Sequence, residues 1–586
     1  MHERTRSAPK RLTGAGPTPS IGLLVDLLDD SPYQWAILQG AMDAAHDRGA
    51  HLLCFAGGVL GAPAGESGER NGVFDLAKQR NVDGLILLSG SIGKRIGPAK
   101  LEEFAHRYRP LPMCSIGVAL NGMSSVCVDN DAGMRSMIEH LTQDHQARRI
   151  AFVRGPEGNA EAEQRFRIYV DTLARSGLPY TPELVASGDF ETESGRRAVA
   201  MLLDDRKIAL DQIDAVVAAN DLMALGVLEE LGRRNLRVPG DVAVVGFDDV
   251  DESRVSLPPL TTVRQPLYEQ GRDAVRLVCD QMHNGAPPEL QARDTELVAR
   301  RSCGCLPGRP VSLRLSEAPP VRHGFEAALL GRRQAVLTEM ARAARGLLGA
   351  AGVGWEERLL NAFADQLRGQ SPDAFILGYD ALLRKLSDHD VDVAICNDVI
   401  SAMRGRMMRL FVNDGQRRLQ AENVFHEARV MTAHVIDRVQ SWRRVRAWRG
   451  ARALGRAAAL IAAGADMESL AQAARENLPA LGIPRCFLAE HCGRSGDVRL
   501  ARLVLSFGPE SRTADAALSR PIPINEILRS QVLPSSGEHA FAVMPITSRE
   551  KDIGVLVLEL AANDGYLYET LREVFAAALT GRRYSA

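Results

Sequence analysis

Short apolar runs alternate with helically periodic stretches through the first half of the chain. Residues 213 to 249 show the pattern best: IDAVVAANDLMALGVLEELGRRNLRVPGDVAVVGFDD. Ala215 to Ala219 is an apolar, β-branched run of the kind that fills a buried parallel strand. Asn220 and Asp221 stand at its carboxyl end, and Asp221 is the expected N-cap of a helix from Leu222 to Asn235. Pro239-Gly240 interrupts the chain before a second strand, Val242 to Phe247, which ends on Asp248 and Asp249. The pattern predicts a βαβ unit with polar side chains at two adjacent strand ends, where open α/β sheets take their ligands.

The pattern changes after Cys305. Residues 306–324 hold four prolines and no apolar period, which predicts a linker. Residues 325–464 read as an all-α region with breaks near Gly346–Gly354, Gly369–Pro372 and Ser387–Asp390. Its last helix is expected from near Arg417 past Arg452, with Ala428, Met431, Val435, Val439, Trp442 and Val445 stepping by threes and fours. That seam predicts a partner helix or coiled coil, and with it a homodimer, the alternative being that it packs back on its own helical domain. Residues 465–586 read as α+β. A helix near Met467–Leu478 precedes the strand runs CFLAEHC, ARLVLSF, AFAVMPI and GVLVLEL, and a helix from Tyr566 to Leu579 closes the chain. The last two runs flank the polar turn TSREKD as a hairpin.

Composition sets broad limits. A chain of 586 residues with 45% hydrophobic and 25% charged content is long enough for several domains, about 100–200 residues each. A formal net charge of −2 gives no global attraction to nucleic acid or anionic membranes. Residues 1–20, basic and rich in Gly, Pro, Ser and Thr, lack an apolar export core and are expected to be a disordered tail. No long apolar run predicts a membrane span, and nine scattered cysteines suit a reducing cytoplasm.

Several segments, in order, carry a family resemblance. They are IGLLVDLLDDSPYQWAILQGAMDAAHDRGAHLLCF, VDGLILLSGS, SVCVDNDAGMRSMIEHL, RRIAFVRGP, EQRFRIYVDTL, PPLTTVRQPLYEQGRDAV and LVARRSCGC. Together residues 21–305 resemble the ligand-sensing core of the lactose-repressor/galactose-repressor family, a two-lobed α/β fold of the periplasmic-binding-protein type. Ile168 stands where that family usually has glycine. The resemblance implies a sugar-like ligand held by Ser31, Tyr33, Gln34, Asp129, Arg165, Asn220, Asp248 and Gln265. These supply the charged, amide and aromatic groups that a ring of hydroxyls requires. The family's helix-turn-helix is expected to be absent from its usual place, since only residues 1–20 precede the core, and direct nucleic-acid contact is not expected. The segment AFAVMPITSREKDIGVLVLEL resembles the late hairpin of GAF domains, which makes residues 465–586 a GAF-like domain by expectation.

Other features carry less. Cys303-x-Cys305 has no second ligand pair at zinc spacing in the sequence, so unligated thiols and no metal are expected. His426-Glu427 and His434 have no nucleotide-binding segment after them. The arginines 443, 444, 446, 449, 452 and 456 read as a solvated helix flank. No P-loop, dinucleotide fingerprint, HExxH or nucleophile elbow is present, so neither a cofactor nor catalysis is expected. The expected protein is a cytoplasmic, non-enzymatic, dimeric sensor that passes lobe closure to its GAF-like end, with a separate output protein as a possible partner. The alternative is a transcription regulator whose DNA-reading element lies between Phe325 and Arg417 or on a partner.

Overall fold

The computed structural model describes residues 18–28, 31–63, 68–305, 325–344, 352, 354–388, 392–411, 414–464, 467–495, 498–508, 521–534, 537–548, 551–560 and 565–583. The expected linker 306–324 and residues 1–17 of the expected tail lie outside these; Ser20 already belongs to the first strand. The chain divides into two compact units, Met1–Pro307 with Ala453–Ala586, and Gly308–Arg452.

The first unit holds two α/β lobes. Lobe one is built on β1 (Ser20–Val25), β2 (His51–Ala56), β3 (Gly84–Leu88), β4 (Met113–Ile116) and β5 (Ser124–Val128), all paired in parallel. Lobe two has β6 (Ile150–Val153), β7 (Val185–Ala186), β8 (Ala215–Ala218) and β9 (Ala243–Val245), ordered β7-β6-β8-β9. The expected βαβ unit is there: β8 and β9 pair in parallel with Ala215 opposite Ala243, joined by the helix Asp221–Arg233. Its cap differs from expectation. Asn220, extended at φ −149° and ψ 171°, accepts the Met223 N–H on its side chain, and Asp221 is the first helical residue. The chain then crosses back. β10 (Thr262–Arg264) pairs with β12 (Glu296–Val298), while β11 (Leu290–Arg293) returns to lobe one beside β5.

The C-terminal strands do not stand apart. β13 (Cys486–Ser495), β14 (Val498–Phe507), β15 (Ile522–Pro523), β16 (Ala540–Ser548) and β17 (Lys551–Glu559) extend the sheet of lobe one. The expected β16–β17 hairpin forms, and β16 then pairs in parallel with β2, Ala542 opposite Cys54. Among the described residues this gives one 11-stranded sheet, β11-β5-β4-β3-β1-β2-β16-β17-β13-β14-β15. The physical reason lies in β2. Its run HLLCFA is buried at every position, and an apolar strand left at a sheet edge is a pairing template that must be covered. Apolar packing is continuous on both faces: Leu23 and Cys54 share a cluster with Met544, Leu556 and Phe575, and Phe55 shares another with Phe541 and Val555. A buried ion pair, Arg70 Nη2 to Glu569 Oε1 at 2.6 Å, ties lobe one to the closing helix Tyr566–Arg583.

The second unit is helical, as expected, with helices Phe325–Ala343, Trp355–Leu367, Ala374–Asp388 and Ile395–Met407 before the long helix Gly415–Ala462, whose residues from Ala453 on belong to the first unit. The seam expected to meet a partner helix is largely spent inside this unit. Ala428 and Val435 are buried in its core, and Met431 and Val439 pack against it. Tyr379 hydrogen-bonds Thr432 at 2.7 Å, on the same face. Trp442 is exposed, and the side chains of Arg443, Arg444, Val445 and Arg446 lie outside the described residues. An apolar stripe reads the same whether its cover is a second chain or neighbouring helices, which is why the sequence pointed to a dimer here.

Candidate functional site

The site begins on the helix Ala160–Arg175, whose cap Asn159 accepts the Ala162 N–H. Glu161 and Arg165, one turn apart, are both buried on the same face. Arg165 Nε donates to Asn130 Oδ1 at 2.9 Å, Nη1 to the Ala219 carbonyl at 2.8 Å, and Nη2 faces Glu161 Oε1 at 3.5 Å. Its guanidinium lies 4.0 Å from the Phe247 ring centroid and 3.9 Å from the Asp248 carboxylate. Asp248, with φ 138°, and Asp249, with φ 60°, occupy a region that side chains rarely adopt, and such strain concentrates at binding sites. Gln265 Nε2 donates to Asp248 Oδ1 at 2.6 Å. Burial pushes the Asp248 carboxyl well above the ordinary carboxylate range; Arg165 pulls against it and Asp221 adds to it.

Lobe one supplies the opposite wall. A Cβ placed on Gly90 would lie 2.7 Å from Glu161 Oε2, and one on Gly117 3.1 Å from it, so these two glycines make the seat for that carboxylate. Burial raises the Glu161 pKa, and Arg165 opposes the rise. Tyr33 has its hydroxyl pKa raised by burial and by the Glu161 and Asp248 carboxylates. Asn159 Nδ2 donates to the Gly90 carbonyl at 3.2 Å, and Lys94 Nζ reaches Glu191 across the lobes at 3.1 Å. The lobes therefore touch. Gln34 Oε1 and Asp26 Oδ1 are among the buried acceptors without a hydrogen-bond partner.

Of the eight expected residues, Tyr33, Arg165, Asp248 and Gln265 come together. Asn220 is close by, but its oxygen caps a helix and its Nδ2 donates to the Phe190 carbonyl at 3.0 Å. Asp129 is half-buried and caps the helix Asn130–Glu139 through the Ala132 N–H. Ser31 precedes the helix Pro32–Arg48, half-buried, with Gln34 in that helix's first turn. Sequence reasoning missed Glu161, Asn130, Lys94 and Asp26. The one sequence signal for Glu161 was its place four residues before Arg165.

Asp221 has a role that capping does not describe. Its Oδ1 accepts the Thr262 hydroxyl at 2.5 Å and its Oδ2 the Val250 N–H at 3.1 Å. Full burial brings its pKa up to about 7. Cys303 and Cys305, expected to lack a second ligand pair, stand beside His140 and His145.

Residues 138–303 match the family model of the periplasmic binding protein-like domain. The HTH-type transcriptional repressor CytR of Escherichia coli (strain K12) is 33% identical over 291 residues, 49% of this chain and 79% of CytR. The HTH-type transcriptional regulator CelR of Thermobifida fusca is 35% identical over 276 residues, 46% of this chain and 76% of CelR. The ribose operon repressor of Escherichia coli (strain K12) is 30% identical over 292 residues, 50% of this chain and 83% of that protein. The chain belongs to the lactose-repressor/galactose-repressor family. Its two-lobed N-terminal half is the family's periplasmic-binding-protein-like sensor. CytR and CelR are named as HTH-type regulators, which counts against the expectation that nucleic-acid contact is absent. Among the described residues no helix is long and apolar enough to cross a membrane.

Proposed function

We propose that this chain is a non-enzymatic, ligand-responsive regulator of transcription, whose interlobe site takes a small sugar-like molecule. The observation that carries the ligand reading is Gln34 Oε1, buried and without a partner, in the same helical turn as Tyr33, whose hydroxyl feels the Glu161 and Asp248 carboxylates. An unmet buried acceptor costs free energy that a ligand hydroxyl would recover. A relative named for the ribose operon favours a sugar. The regulatory reading rests on the HTH-type relatives, and the DNA-reading element would lie among the helices between Phe325 and Arg417 or on a partner chain. We also propose that lobe closure reaches the GAF-like C-terminal segment through the β2–β16 pairing, since strands of one sheet move together. A homodimer formed through the sensor lobes fits this scheme.

The test has two arms. Thermal-shift screening against sugars, sugar phosphates, purines and polyols identifies a ligand, and calorimetry then compares the natural chain with Gln34→Leu. The variant should bind about tenfold or more weakly while its ligand-free stability holds or rises. Unchanged affinity removes Gln34 from the site. For the regulatory arm, selection from genomic fragments should yield a sequence bound at ~10⁻⁸–10⁻¹¹ M and released or tightened by that ligand. Binding that is only weak, salt-sensitive and sequence-blind would leave a sensor for a separate output protein.

A further inference from the structure

Far along the same helix from Asn130, four ligand-type side chains converge. His140 Nε2 lies 3.4 Å from Cys303 Sγ and 3.5 Å from Cys305 Sγ. His145 Nε2 lies 3.1 Å from His140 Nε2 and 3.4 Å from Cys305 Sγ. All four donor atoms fall within 4.8 Å of one another. Zinc bond lengths of about 2.0–2.1 Å to nitrogen and 2.3 Å to sulfur set the edges of a coordination tetrahedron. Those edges come to roughly 3.3 Å for N–N, 3.6 Å for N–S and 3.8 Å for S–S. The N–N contact and three N–S contacts match that pattern, with N–N the shortest, and the other two edges are no longer than 4.8 Å.

Local backbone explains how distant residues achieve it. The helix Asn130–Glu139 continues as a π-helical turn, His140–Asp144, in which i→i+5 pairing brings residues five apart onto one side. His140 and His145 are five apart, and their rings meet edge to face at 4.7 Å. On the cysteine side, Gly304 has φ 105°, so the Cys-Gly-Cys segment turns tightly. A Cβ there would press within 3.4 Å of the His145 ring. A second shell is also in place. His140 Nδ1 is held by Asp144 Oδ2 at 2.7 Å, the carboxylate–imidazole arrangement that orients metal-bound histidines. The Thr261 hydroxyl stands 3.0 Å from the Arg300 carbonyl and 3.1 Å from Cys303 Sγ, so it can turn its proton to a metal-bound thiolate.

We propose that His140, His145, Cys303 and Cys305 form a closed, four-ligand site for a zinc-class divalent cation. With four protein ligands no position is left for substrate, so the site is structural. It would clamp the end of the sensor core, at Cys305, to the end of the helix whose first residue, Asn130, holds Arg165. Nothing in this assignment depends on the ligand or the regulatory reading.

The experiment uses the full chain, stripped with a chelator, with its thiols shown to be reduced by counting. Titration with Co(II) should saturate at one ion per chain with tetrahedral d–d bands and thiolate-to-cobalt charge transfer, and Zn(II) should displace it. Cys303→Ser and His145→Ala should each weaken Co(II) binding by roughly a hundredfold or more, and Asp144→Asn by about 10–100-fold. His145→Cys keeps four ligands, so it should bind with a stronger charge-transfer band; this result stands even where Cys303→Ser fails to fold. A reduced, folded chain that takes up no stoichiometric Co(II) overturns the proposal. So does a Co(II) spectrum without thiolate bands, or one that Cys303→Ser leaves unchanged.

Discussion

The helix Asn130–Glu139 joins two polar clusters of opposite character. At its start, Arg165 finds an acceptor for each of its three nitrogens, and Gln265 answers Asp248, so these polar groups are partnered within the protein. At its far end, two imidazoles and two thiols face one another with Asp144 alone holding the outer nitrogen of His140. Hard charged groups can satisfy each other by hydrogen bonds. The imidazoles and thiols can hydrogen-bond one another, but the single Nε2 of His140 cannot serve both thiols and His145 at once, so their convergence fits something that binds them all.

The largest expected effect separates the clusters by what removing one member leaves behind. Arg165→Ala strands the Glu161 and Asp248 carboxyls in a buried site, and breaking such a pair costs about 3–5 kcal/mol. Urea unfolding at neutral pH should show that loss. It should shrink as pH falls, because both carboxyls already sit above their usual range and take protons readily. A loss below about 1 kcal/mol would mean that the guanidinium is dispensable to the apo site.

How much of this was legible in the sequence differs between the ends. The ordered family segments located Arg165, Asp248 and Gln265 because each lies at the end of a strand or on a helix that local pattern reveals. Glu161 escaped, since its role depends on Gly90 and Gly117, which another lobe brings to it. Asp221 was expected to cap the helix, and Asn220 caps it instead. Both are good caps by residue type, and only the extended backbone at Asn220 decides between them. The histidine–cysteine cluster was invisible because its halves are separated by |i−j| = 163 and meet only after lobe two has folded. The β2–β16 pairing was missed for the same reason, although β2's apolar run from Leu52 to Ala56 was a sign that it is not an edge.

A pH experiment sharpens the contrast next. Asp221 has a folded pKa of about 7 against an ordinary 3.8, raised chiefly by burial. A raised folded value means that the native state holds a proton the unfolded chain has lost. Its stabilising contribution is therefore complete below about pH 4 and is lost as pH rises through 7, at roughly 1.4 kcal/mol per unit. Asp221→Asn should flatten the stability profile over that window. A parallel profile in the variant would show that the carboxyl ionises normally in the fold.

The smallest expected effect asks whether the two ends of the helix know of each other. Asn130→Ala removes the acceptor for Arg165 Nε, and His145→Ala removes one imidazole from the cluster. Ten helical residues and a π turn separate them, roughly 20 Å at 1.5 Å per residue. Sites that far apart without shared partners add within ~0.3–0.5 kcal/mol, so the double variant should lose the sum of the single losses. The cycle is run on the stripped chain and again with Zn(II) in excess. Additivity in both would make the cluster a passive fastening. A coupling above about 1 kcal/mol that appears only with the cation would require the helix to shift as a rod between two arrangements. Occupancy of the cluster would then bias the sensor site, and cation and ligand would each change the other's affinity by the same factor.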